Sequence, residues 1–167
     1  IPTSWNDLKD PKFRKQLVIP PINNTYGLYT LMMFARMNGG GEKDIEPGFK
    51  VMKEQINPSV LVYEPSPGKM TELFQSGQAV IAVWGTGRVQ AFANTGFPVD
   101  FIYPKEGAPI LLASACPVAK ASSNPLAHEF IKTMISADVQ SVLAKEMGNG
   151  PVNKKVDVNM KELAMAP

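Results

Sequence analysis

The sequence predicts an α/β fold: a mixed, mostly parallel sheet flanked by helices. Three observations lead there. Short apolar runs at residues 16–19, 60–63, 79–83 and 99–103 have the length and composition of buried strands. Between them lie segments whose apolar residues recur at helical spacing, and strands alternating with helices of that length define the class. The chain, 167 residues with 44% hydrophobic content, is also long enough to bury one real core.

Each element has its own signal. Ser4 caps a short helix through Leu8 that Asp10-Pro11 ends. Residues 16–19 stop at Pro20-Pro21, as a short buried strand does. Asn23, Asn24 and Thr25 offer the next N-cap, and Leu28, Leu31, Met32 and Ala35 mark a helix that Gly39-Gly40-Gly41 breaks. Residues 45–55 predict a second helix with Phe49, Met52 and Ile56 on one face. After the strand-like residues 60–63, Pro65-Ser66-Pro67-Gly68 turns the chain into a helix carrying Met70, Leu73 and Phe74. Gly77 closes that helix before the strand at 79–83. Residues 89–93 are helical and end at Gly96, and 99–103 predict another strand. Residues 110–118 read as an extended connector or strand. Asn124 caps a helix with Pro125 in its first position and a buried face of Phe130, Ile131, Met134 and Ile135. Residues 138–147 form one more helix, stopped at Gly148-Asn149-Gly150-Pro151.

Composition excludes several functions. The net charge is +2 with the signs interspersed, so no basic stripe calls for nucleic acid. No apolar run approaches the roughly 20 residues of a membrane span, and no signal peptide opens the chain. The start at Ile1 lacks an initiator Met, which favours a chain whose beginning is missing over a cytosolic protein. Cys116, the one cysteine, cannot form an internal disulfide; among Leu111, Leu112, Ala113, Ala115 and Val118 it reads as a buried, inert thiol. His128, the one histidine, has no Cys or second His at ligand spacing, so no metal site is expected. No nucleophile elbow accompanies it, and Asp100 and Glu106 are too separated to form an acid–base pair.

The most informative segments are Trp84-Gly85-Thr86-Gly87-Arg88, at the end of a buried strand, and Lys105-Glu106-Gly107-Ala108, at the end of the next. A strand that delivers an indole, flexible glycines and a guanidinium to its end builds a small-molecule pocket. Gly85-Thr86-Gly87 is also part of a dinucleotide fingerprint, but Gln90 replaces the third glycine and no leading βαβ unit precedes the motif. Its backbone N–H groups remain available to an anion. Trp84 reads as a core aromatic or as a pocket wall, and its neighbours favour the wall. Arg88 reads as a surface charge or as a bidentate holder of a carboxylate or phosphate. Asn24-Thr25-Tyr26 is a helix cap that can equally line a polar pocket. Glu106 is either a turn acid beside a positive-φ Gly107 or a site-lining group.

The order of these segments resembles the extracellular solute-binding proteins of ABC importers, the spermidine/putrescine-type (type II periplasmic binding proteins) above all. Trp5-Asn6-Asp7-Leu8-Lys9-Asp10-Pro11 is similar to the family segment that opens the second lobe. Leu73-Phe74-Gln75-Ser76-Gly77, Ile81-Ala82-Val83-Trp84 and Tyr103-Pro104-Lys105-Glu106-Gly107 resemble its next landmarks. Ala127-His128-Glu129-Phe130-Ile131, Val139-Gln140, Gly148 and Pro151-Val152-Asn153 resemble its carboxy-terminal helices. The resemblance implies a periplasmic-binding-protein-like fold of two α/β lobes, with ligand in the cleft and a hinge that closes on it. Residues 1–108 would be the second ligand-binding lobe, and 109–167 the return crossover and C-terminal helices of an incomplete first lobe. It implies a non-enzymatic, periplasmic transport protein without cofactor or nucleic-acid partner, working with a small-molecule solute and ABC permease subunits.

The candidate ligand-binding residues are Asn24, Thr25, Tyr26, Ser66, Trp84, Gly85, Arg88, Glu106 and Ser114. Polyamine receptors carry an aromatic and an acid shortly after the Glu-Gly pair; Leu111-Leu112-Ala113-Ser114 has neither, and Arg88 repels a cation. A polyamine and a small organic anion, a carboxylate or phosphonate, therefore both stay open. A nucleotide-dependent α/β enzyme using the Gly85-Thr86-Gly87 turn is the alternative function, and an interaction domain without ligand a third class. Without a partner lobe, Phe130, Ile131, Met134 and Leu143 meet water, so the chain alone is expected to dimerise or to fold these helices back on its own lobe.

Overall fold

The structure is a computed structural model and describes residues 1–119 and 124–157. Its sheet has three strands, β1 (Leu17–Ile19), β2 (Val60–Tyr63) and β3 (Ile81–Ala82), in the order β2-β1-β3. Both pairings are parallel, so among the described residues the sheet is wholly parallel rather than mixed. Parallel neighbours need helical crossovers. α1 (Thr25–Met37) and α2 (Glu46–Val51), the latter prolonged by a π turn at Met52–Ile56, lead from β1 to β2. α3 (Pro67–Gln75) leads from β2 to β3, and α4 (Thr86–Ala93) follows β3. Further along the chain come α5 (Pro125–Met134) and α6 (Ala137–Met147).

The two-residue period of the strands sorts their side chains into two cores. Leu17, Ile19 and Val60 face Trp5, Leu8, Leu31, Phe34, Val51, Met52 and Ile56, with Ile81 and Val83 packed alongside. Val18 faces Met70, Leu73 and Ala79 on the other side, where Leu61, Ala82 and Trp84 join them. β1 is buried on both faces because helices cover both. Two glycines allow the closest approaches. A Cβ on Gly27 would meet the carbonyl oxygens of Pro20 and Pro21 at 2.2 Å, so only glycine lets the first turn of α1 sit against the end of β1. A Cβ on Gly48 would lie 2.5 Å from the Leu31 carbonyl oxygen, where α2 crosses α1.

Most boundaries agree with the sequence reading because the caps form as read. Ser4 and Asp7 make a reciprocal capping box around a 3-10 turn at Trp5–Lys9. Asn24 caps α1, Ser66 caps α3 and Asn124 caps α5, each through its side-chain oxygen. Gly148, at φ +63°, closes α6 in the left-handed conformation.

Several expectations need correction. Residues 99–103 form no ladder; prolines at 98 and 104 remove donors at both ends, and no strand pairs with them among the described residues. Strand 79–83 shrinks to Ile81–Ala82, although Val80 and Val83 still donate to the Gln16 and Val18 carbonyls. Leu28 is exposed while Met33 and Phe34 are buried, because α2 covers a second side of α1. Phe49 is likewise exposed, on the outer side of α2. Phe130 and Ile135 do not form a buried face: they are 62% and 50% exposed, and α5 buries no residue. Cys116 is exposed, as are Ile110, Leu111, Leu112 and Val118 around it.

Candidate ligand-binding site

In a parallel sheet with helical crossovers, every strand ends at one edge and the following helix starts there. Here that edge gathers Asn24, Thr25 and Tyr26 after β1, Ser66 after β2, and Trp84 to Arg88 after β3. From β1 the chain first reaches β2 on one side and later β3 on the other, so β1 and β3 flank the topological switch point. Open α/β sheets hold ligands in the crevice at such a point.

The groups around that crevice differ in what they leave free. Asn24 Oδ1 accepts from Tyr26 N–H at 3.0 Å, and Thr30 Oγ1, fully buried, donates to the Tyr26 carbonyl at 2.8 Å. Tyr26 is thereby fixed in the first turn of α1. Its phenol reaches across to β3: a Cβ on Gly85 would lie 2.2 Å from Tyr26 Oη, so glycine is what admits the hydroxyl. Ser66 Oγ accepts from Lys69 N–H, and Ser66 N–H donates to Glu64 Oε1 at 2.8 Å. α4 differs from α1 and α3. Gly85 supplies no side-chain cap, and the N–H groups of Thr86 and Gly87 have no hydrogen-bond partner among the described residues. Arg88, exposed in the same turn, makes no ion pair among the described residues.

Trp84 is half-buried and packs against the second core, its ring 6.4 Å from that of Phe92. The alternation of β3 carries the signal, because Trp84 shares a face with Ala82. The Glu106 carboxylate is engaged by the amino-terminal segment. Ser4 Oγ–H donates to its Oε1, and Trp5 N–H donates to its Oε2 at 3.2 Å. Partial burial pushes the Glu106 carboxyl up, but the Ser4 hydroxyl, the N–H groups of Glu106 and Trp5, and the Lys105 charge together hold it below its ordinary value. Gly107 has φ +90°, as the turn reading expects. Ser114 lies on the exposed connector without a hydrogen bond to the sheet edge. The sequence reading missed two neighbours. A Cβ on Gly87 would meet the Met147 carbonyl oxygen at 2.5 Å, so the end of α6 docks on the first turn of α4. The partnership of Ser4 and Trp5 with Glu106 joins residues more than 100 positions apart and leaves no local signal. A shallow depression lined by Arg36, Gly39 to Gly41 and Asp44 sits at the opposite end of α1. No cluster of metal-ligating side chains occurs among the described residues.

The three-stranded parallel sheet, its helix starts at one edge and its crevice define a periplasmic-binding-protein-like lobe. The family described as bacterial extracellular solute-binding protein matches residues 1–167, and the chain belongs to it. Among curated proteins it is 22% identical over 147 residues to the spermidine/putrescine-binding periplasmic protein of Escherichia coli (strain K12). That match covers 87% of this chain and 41% of the relative, so the chain spans less than half the relative's length. Among solved structures it is similar to an ABC transporter from Clostridium perfringens ATCC 13124, with TM-score 0.73 and 24% identity over 97% of this chain and 52% of the other. It is also similar to a ferric binding protein from Campylobacter jejuni, with TM-score 0.69 and 16% identity over 99% of this chain and 54% of that one. These likenesses show the fold. Solute-binding proteins are not enzymes, and the nucleotide-dependent alternative finds no support. No helix among the described residues is long and apolar enough to cross a membrane.

Proposed function

We propose that residues 1–108 form the second ligand-binding lobe of a solute receptor and present one wall of an interlobe cleft. Residues 109–167 then carry the return crossover and C-terminal helices of the first lobe; of these, 120–123 and 158–167 lie outside the described residues. The receptor works in the periplasm, captures a small polar solute and delivers it to the permease subunits of an ABC importer. One observation carries the reading: the start of α4 has no side-chain cap, its Thr86 and Gly87 N–H groups have no partner among the described residues, Arg88 stands in the same turn, and the Tyr26 hydroxyl lies against Gly85. Unpaired N–H groups at a helix start, together with a guanidinium, favour an anion. The acids near this edge are engaged elsewhere, Glu64 with Ser66 and Glu106 with Ser4 and Trp5. The solute is therefore a small carboxylate, phosphate or phosphonate. Asn24, Thr25, Tyr26, Ser66, Trp84, Gly85 and Arg88 line its side of the cleft, and Glu106 and Ser114 stand further out.

A polyamine is the second reading, favoured by the likeness to a spermidine/putrescine-binding protein and by the indole of Trp84 as a cation–π platform. A thermal-shift screen separates the two. Inorganic phosphate, methylphosphonate and small dicarboxylates are tested beside spermidine and putrescine. An anion is expected to raise the Tm of the wild-type chain and not of Arg88→Ala. Stabilisation by spermidine or putrescine, and by no anion, overturns the anion reading.

A further inference from the structure

The interactions around Glu106 join two parts of the chain that are remote in sequence. The first is the segment Thr3 to Trp5, which enters the lobe. The second is the turn Lys105 to Gly107, which leaves it. Lys105 N–H donates to the Thr3 carbonyl at 2.9 Å, and Trp5 Nε1–H donates to the Gly107 carbonyl at 2.9 Å. Between these two bonds sits the Glu106 carboxylate, which accepts from Ser4 Oγ–H and Trp5 N–H. The Trp5 ring is itself anchored in the first core, edge-on to Phe34 at 6.1 Å. Asp7 holds the incoming segment from the other side, accepting from Thr3 N–H and Ser4 N–H.

We propose that Glu106 is a positioning residue that clasps the incoming and outgoing segments of the lobe side by side. Its charge suits the task, because a carboxylate accepts both donors at once and bonds to a charged acceptor are stronger than neutral ones. Both segments are backbone connections, so the clasp fixes the direction in which each departs from the wall of the cleft. A hinge built on such segments bends beyond the clasp and not within it. The inference rests on the reading of residues 1–108 as one lobe.

Hydrogen exchange followed by NMR tests it on the chain itself. The reporters are Lys105 N–H and the Trp5 indole N–H, neither of which touches the carboxylate. Glu106→Ala is expected to lower the protection of both by about tenfold or more, with Val18 and Phe34 amides unchanged. Glu106→Gln, which offers an acceptor to Trp5 N–H and a donor to Ser4 Oγ, is expected to restore most of it. Unchanged protection at Lys105 and the indole in Glu106→Ala overturns the clasp. If Glu106→Ala also exposes Val18, Ser4→Ala replaces it, with a smaller loss expected at the same two reporters and none overturning the proposal. These readouts need no solute, so they succeed or fail independently of whether phosphate or spermidine binds the chain.

Discussion

The indole of Trp84 lies between the second core and the sheet edge, so its removal acts on two quantities. Trp84→Ala is expected to lower the Tm of the chain and to weaken binding by ~1–3 kcal/mol, the loss typical of an aromatic anchor. Calorimetry on a folded variant with unchanged affinity would assign the side chain to packing alone. Arg88→Ala should weaken binding of an anion strongly, and Arg88→Lys should recover only part, because lysine lacks the guanidinium fork. The carboxylates that bind the amino-terminal segment, Asp7 and Glu106, predict a pH response of defined sign. The Asp7 carboxyl is held below its ordinary value by the Thr3 N–H above all, and that of Glu106 is also lowered. A carboxyl whose folded value is depressed contributes stability above its unfolded value and loses it as pH falls through the folded one. The Tm is therefore expected to hold down to about pH 5 and to fall below it, and Glu106→Gln should lessen that fall. A Tm that rises on acidification over the same range would contradict the assignment.

Among the elements, α1 positions the site, and Gly27 sets how near it comes to β1. Gly27→Ala is expected to destabilise the chain by about 1–3 kcal/mol, the usual result of overpacking, because two backbone oxygens cannot move aside. Urea denaturation measures this, and an unchanged midpoint would mean that α1 shifts freely. What the sequence discloses at this scale is what local chemistry determines. Ser4, Asn24, Ser66 and Asn124 bond to N–H groups within their own first turns, so the helices start where their caps stand. The grouping of Asn24, Ser66 and Gly85 at one edge is equally legible, since it follows from strand-then-helix order alone. Non-local partnerships are not. Residues 99–103 read as a strand by composition, yet a ladder needs a neighbour that no local pattern supplies. Phe130 and Cys116 read as buried by their apolar neighbours, yet burial depends on a surface contributed from elsewhere. The contact of Tyr26 with Gly85 and the clasp at Glu106 are the same kind of fact.

For the molecule as a whole, the exposed apolar side chains of α5 and α6 are the feature that calls for a partner surface. The end of α6 lies against α4 through Gly87 and Gly148, but Phe130, Ile135 and Val142 remain at least half exposed. Apolar patches of this kind are rare on soluble monomers. The chain is expected to self-associate through these side chains, seen as a rise in mass with concentration by light scattering. A constant monomer mass over the same concentrations would contradict that expectation. The proposed site holds a small solute where α1 and α4 begin. Its most direct test is amide chemical-shift mapping during titration with inorganic phosphate or methylphosphonate, with spermidine as the contrasting probe. An anion is expected to shift Tyr26 and residues 85–88 together and to leave residues 39–44 unmoved. Shifts confined to residues away from this edge, or none with any of the three probes, would contradict it.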